Sequence, residues 1–194
     1  MSKEIYEQMH VVAYALCHFV KETIEILAAL EAYETVLKNT DNPTPQNLFL
    51  QTAAESLRDD LIVKTAALYD KDKFGHKPNC SIAELETLIN EDNKHDKVKK
   101  EELLKTIQNA KGIISFRDYR NKRKAHVDLE SAFEMEVPFV TTEELKQLLF
   151  ELRRIISLTF EYMFCVSLKS DNYEEIKEKY IESIDQCIRK ASNT

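Results

Sequence analysis

Residues 5–30, IYEQMHVVAYALCHFVKETIEILAAL, decide the fold class of this chain. Ile5, Met9, Val12, Leu16, Phe19, Ile24, Leu27 and Leu30 recur at three- to five-residue steps. That is the stripe one face of an α-helix offers to a core. With no glycine or proline before Pro43, a single helix is expected over residues 2 to about 39. Asn39-Thr40-Asp41-Asn42-Pro43 breaks it, and Thr44-Pro45 supplies an N-cap and first turn for a second helix ending near Tyr69.

The remaining sequence is equally poor in turns. All 194 residues include two glycines, Gly75 and Gly112, and four prolines. Sheets need many tight turns and long helices need few, so an all-α chain is expected. Residues 70–80, with Gly75 and Pro78, make a loop. Ser81-Ile82-Ala83-Glu84 is a capping-box sequence that opens a short helix to about Ile89. A charged helix follows from about Asp96 to Ala110, closed by Lys111-Gly112 as a C-cap. Another helical segment is expected from Ile113 to about His126, then a loop from Asp128 to Val140. Thr141-Thr142-Glu143-Glu144 opens a helix to about Leu168, and Asp171 caps a last one to about Lys190. Neither a repeat nor a long linker divides the chain. A single domain over residues 1–194 is expected, with the helix at about 171–190 as an appendage: two long antiparallel helices with several more packed on them.

The net charge is −7, which disfavours indiscriminate binding to a phosphate backbone. Its distribution is uneven. Between positions 111 and 126, Lys111, Arg117, Arg120, Lys122, Arg123 and Lys124 face only Asp118, a net +5. All other residues therefore carry −12 between them. Cys17, Cys80, Cys165 and Cys187 lie far apart with no CxxC pair, as expected of reduced thiols in the cytoplasm. No signal-peptide pattern is present, and Val11 to Val20 is too short and too polar to span a membrane.

The basic window contains Arg120-Asn121-Lys122-Arg123-Lys124-Ala125-His126. This string resembles the Arg, four to six residues, His motif of HEPN-superfamily RNases. The spacing alone carries little information. The polar Asn121 after the arginine, Ala125 before the histidine, and the position ahead of a loop and a long late helix carry the resemblance. Arg-Asn-Lys-x-x-Ala-His-x-Asp is close to the form seen in the abortive-infection, AbiU-like branch. Leu68-Tyr69-Asp70, a loop, and Cys80-Ser81-Ile82-Ala83-Glu84-Leu85 resemble the same branch, in which a long helix ends and a serine-capped one begins.

The residue chemistry fits that resemblance. Cleavage of RNA by its own 2′-hydroxyl needs a proton acceptor, a proton donor and a group that neutralises charge on the phosphorane. A histidine titrates near neutrality, and an arginine offers a rigid fork of donors to phosphate oxygens. By resemblance, Arg120 and His126 are the catalytic pair of a metal-independent endoribonuclease that needs no cofactor. Asn121 is placed to orient the imidazole or bind a phosphate oxygen, with Arg117, Lys122, Arg123 and Lys124 as a phosphate-binding rim. On a regular helix Arg120 and His126 stand about 120° apart. A productive site therefore requires a long arginine reach, a helix end before His126, or two chains that each contribute one set. The resemblance implies the last, a homodimer of a prokaryotic defence or toxin–antitoxin system acting on RNA, with an antitoxin protein as a further partner. Asp128 stands where many HEPN toxins carry a tyrosine that an antitoxin modifies, so that mode of control is not implied. The alternative is a non-catalytic HEPN bundle that binds a nucleotide or a protein.

Other patterns carry less. Glu7-x-x-His10 has the spacing of a di-iron bundle, but no second Glu-x-x-His accompanies it. Phe160, Tyr162 and Phe164 are expected in the core rather than as a base-stacking platform.

Overall fold

A computed structural model describes residues 3–39, 45–69, 80–93, 96–112, 140–168 and 172–192. Among them are six helices and no strand: α1 (Lys3–Lys38), α2 (Pro45–Tyr69), α3 (Ile82–Glu91), α4 (Lys97–Gly112), α5 (Thr142–Phe164) and α6 (Tyr173–Ser192). The chain is all-α, the class of a HEPN-like helical bundle. No helix among the described residues is long and apolar enough to cross a membrane.

Two compact units form, residues 1–20 with 62–169, and residues 21–61 with 170–194. In the first, the stripe read from the sequence is the buried face of α1: Met9, Val12, Ala13, Leu16 and Val20 are all below a tenth exposed. Val20 takes the buried position next to Phe19, which is only half-buried. From α5 come Leu145, Leu148, Leu149, Leu152, Ile155 and Ile156 at 3.6-residue periodicity. Leu103, Ile107 and Ala110 of α4 and Ile82, Leu85, Leu88 and Ile89 of α3 complete this core. Helix α4 packs on both α5 and α3. Each fully buried leucine or isoleucine contributes about 1.5–3 kcal/mol relative to exposure.

In the second unit Ala32 and Val36 of α1, Leu50 of α2 and Ile184 of α6 form a smaller core, edged by Tyr33, Leu37, Ile181 and Ile188. Arg58 pairs with Glu34. Lys177 lies 3.5 Å from the Glu31 carboxylate and over the Tyr173 ring. The Glu174 carboxylate beside Lys177 is the first cause of its raised pKa.

Helix ends follow local chemistry. Ser81 Oγ accepts the Glu84 amide at 3.2 Å; the Glu84 side chain turns instead to a groove shared with α1. Asp96 caps α4 by accepting from the Val98 amide at 2.9 Å. That helix continues through Gly112 rather than closing before it. Helix α6 begins behind Asn172, whose carbonyl accepts the Ile176 amide. Thr44, Asp171 and the expected helix over 113–126 lie outside the described residues.

The largest departure from expectation is at the end of α5, which stops at Phe164, not near Leu168. Cys165 adopts a left-handed conformation with φ of 55° and donates its amide to the Glu161 carbonyl. Ser167 Oγ then donates to Glu161 at 3.0 Å. No glycine marks this stop, so nothing in the local composition signals it. A side chain with a Cβ costs about 1–2 kcal/mol in that conformation. Because Cys165 is exposed, Cys165→Gly should stabilise the fold by about 1 kcal/mol, offset by the greater freedom of glycine when unfolded. Urea unfolding measures it. A destabilised variant would mean the thiol packs more strongly than its exposure implies.

Candidate functional site

Arg117, Arg120, Asn121, Lys122, Arg123, Lys124 and His126 all lie in the stretch 113–139, outside the described residues. The structure defines the two helices that bracket them. Helix α4 delivers the chain at Gly112, and α5 takes it up again at Thr142. Since α4 packs directly against α5, the segment that carries the basic window is tethered at both ends to one rigid pair.

The receiving end is firmly capped. Thr141 Oγ1 accepts the Glu144 amide at 3.2 Å, and the Thr141 amide donates to Glu144 Oε2 at 2.8 Å. The Thr141 hydroxyl also donates to that oxygen at 2.7 Å. This is the reciprocal box expected from Thr-Thr-Glu-Glu. The bond from the Thr141 amide, and then the one from its hydroxyl, hold the Glu144 carboxyl below its ordinary 4.5. A depressed acid contributes stability that is present above its unfolded pKa and lost as the pH falls through the folded one. Thr141→Ala should therefore cost about 1 kcal/mol near pH 7. The gap to wild type should narrow below about pH 4, as Glu144 takes up its proton. Urea unfolding at the two pH values checks this, and a constant gap would assign the whole effect to the neutral cap.

A buried polar node holds the α3–α4 turn against α5. Asp92, 1% exposed at the end of α3, accepts the phenol of Tyr162. Lys100 on α4 donates to the carbonyls of Asn90 at 2.9 Å and Asp92 at 2.5 Å. A lysine on the free carbonyls at a helix C-terminus satisfies acceptors and opposes the helix dipole. Burial first, and then the bond to Asp92, raise the Tyr162 pKa, so the phenol stays a donor. This node fixes α3, α4 and α5 together. No local sequence pattern links Asp92 to Tyr162, which are 70 residues apart.

Tyr162 and Phe160 are buried, as expected of core residues. Phe164 is the partial exception. It is half-buried, and its ring meets Tyr6, His10 and Tyr14 of α1 at centroid distances of 6.2, 5.3 and 6.4 Å. His10 is thus part of an aromatic stack, 4.6 Å from the Tyr14 ring. Among the described residues no group of three His, Cys, Asp or Glu side chains could hold a metal ion. Tyr69 ends α2 as expected. Burial, and secondarily the Glu151 carboxylate on α5, raise its pKa.

A long helix that ends at Tyr69, a helix capped by Ser81 and a helix capped by Thr141 stand where the sequence resemblance to the HEPN superfamily expected them. The family model HEPN_AbiU2, described as AbiU2, matches residues 3–186. The chain belongs to that family, the abortive-infection AbiU2-like branch of the HEPN superfamily. No curated protein and no solved structure gives a match.

Proposed function

We propose that this chain is a metal-independent endoribonuclease of a prokaryotic defence or toxin–antitoxin system. In this reading Arg120 and His126 of two subunits line one cleft. The observation that carries it is the Arg120 to His126 string within a chain that belongs to the AbiU2 family over residues 3–186. The concentration of +5 within residues 111–126 supports it, because an otherwise acidic chain then keeps one place where phosphate is attracted. Arg120 neutralises the developing phosphorane charge and His126 moves the proton. Asn121 orients the imidazole, while Arg117, Lys122, Arg123 and Lys124 hold the flanking phosphates. An antitoxin protein would silence the site by a route that does not use a tyrosine at position 128, which is Asp128.

Incubation of the purified chain with structured RNA or transfer RNA in EDTA tests the proposal. Discrete cleavage products are expected. An inert wild-type protein whose expression leaves growth unaffected overturns it. If Arg120→Ala weakens binding of a nucleotide or a protein under those conditions, the chain is a non-catalytic HEPN bundle instead.

A further inference from the structure

A cavity of about 330 Å³ opens between the first turns of α1 and helix α3. All of its lining residues belong to the first compact unit. Its size is at the low end for small-molecule sites, which pair apolar walls with a few polar groups that orient the ligand. On α1, Glu7 stands one turn before Val11, with Val12 beside it; on α3, Glu84 stands one turn before Leu88. Each helix thus gives the space a carboxylate and an apolar surface, and Cys80 adds a thiol to the wall. None of the lining residues is a lysine, arginine or histidine.

Glu84 sets this place apart from an ordinary groove. One four-residue capping pattern occurs twice in the chain, Ser81 to Glu84 and Thr141 to Glu144. Glu144 closes its box by accepting the Thr141 amide at 2.8 Å. Ser81 Oγ accepts the Glu84 amide at 3.2 Å, but the Glu84 carboxylate does not return the bond and lines the cavity instead. A local bond that the sequence offers is given up here, and such departures concentrate at functional sites.

The lining chemistry specifies the ligand. Two carboxylates repel a phosphate and attract a cation. A metal ion asks for more donors, and among the described residues no group of three His, Cys, Asp or Glu side chains could hold one. Val11, Val12 and Leu88 do nothing for a bare inorganic cation, but they take a hydrocarbon body out of water. A protonated amine on an apolar body meets both requirements, because its N–H groups donate to carboxylate oxygens in charge-assisted bonds.

We propose that this cavity binds a small organic amine, its ammonium group held by Glu7 and Glu84 and its apolar body lying on Val11, Val12 and Leu88. The site stands on α1 and α3 alone, and none of its residues takes part in the proposed cleavage.

Cys80 serves as the reporter. It is exposed, as are Cys165 and Cys187, which lie outside the cavity. The probe is phenethylamine, and phenethyl alcohol supplies the same body without the charge. Iodoacetamide labelling of the full chain, resolved site by site by mass spectrometry, gives the rates. Saturating phenethylamine should slow labelling of Cys80 about threefold or more and leave Cys165 and Cys187 unchanged. The dissociation constant read from this protection should rise about tenfold for phenethyl alcohol, and about tenfold for phenethylamine on Glu84→Gln. Glu7→Gln repeats the test from the other wall, away from the α3 cap, and both variants should keep wild-type helicity by circular dichroism. An unprotected Cys80 overturns the proposal, as does equal slowing at all three cysteines. Alcohol that binds as well as the amine, or two glutamine variants that bind like wild type, also overturns it. Methylammonium that protects Cys80 as well as phenethylamine does would remove the apolar half of the site.

Discussion

His126→Ala should reduce RNA cleavage by about a hundred- to ten-thousand-fold, the range supplied by a positioned acid or base. The proposed reaction leaves the histidine without a substitute. Of the five histidines, His10 is stacked among Tyr14 and Phe164, His18 is on the opposite face of α1 from its core, and His76 and His95 lie far from the motif in sequence. An activity loss with an unchanged melting temperature would separate chemistry from folding. Arg120→Lys sharpens the test, because an ammonium keeps the charge and loses the planar fork. If the fork matters, Arg120→Lys should stay closer to Arg120→Ala than to wild type. Full activity in His126→Ala would remove the histidine from the mechanism.

Leu149→Ala should cost about 2–5 kcal/mol, the usual range for truncating a fully buried leucine. Leu149 is completely buried on α5 and belongs to the stripe that runs from Leu145 to Ile156. A domain of this size holds only about 5–15 kcal/mol of net stability, so the loss should be plain in urea unfolding as a lower midpoint. Cleavage should then fall only with the folded fraction, unlike the His126→Ala loss. A cost below about 1 kcal/mol would show that the α4–α5 contact collapses to fill the space.

Much of the helical order could be read locally. The apolar spacing of α1, the proline that starts α2, and the Ser81 and Thr141 caps each work through atoms within four residues, so short windows contain their full cause. Cys165 could not be read in that way. Its left-handed turn ends α5 without glycine, and only the bonds to Glu161 show how the turn is held.

The exposed face of α1 was present in the sequence but silent there. Periodicity reveals two faces of a helix without saying which is covered, and only burial separates Met9, Val12 and Leu16 from Val11 and Tyr14. The tie from Tyr162 to Asp92 spans 70 residues and exists because α3 and α5 meet in the same core.

The sequence by itself determined the all-α class, the Ser81 and Thr141 caps and the concentration of charge at 111–126. Composition and near-neighbour bonding are sufficient causes for each of these. Tertiary structure alone decided which face of α1 stays open and which polar groups are buried together. Those depend on removing surface from water between residues far apart in the chain.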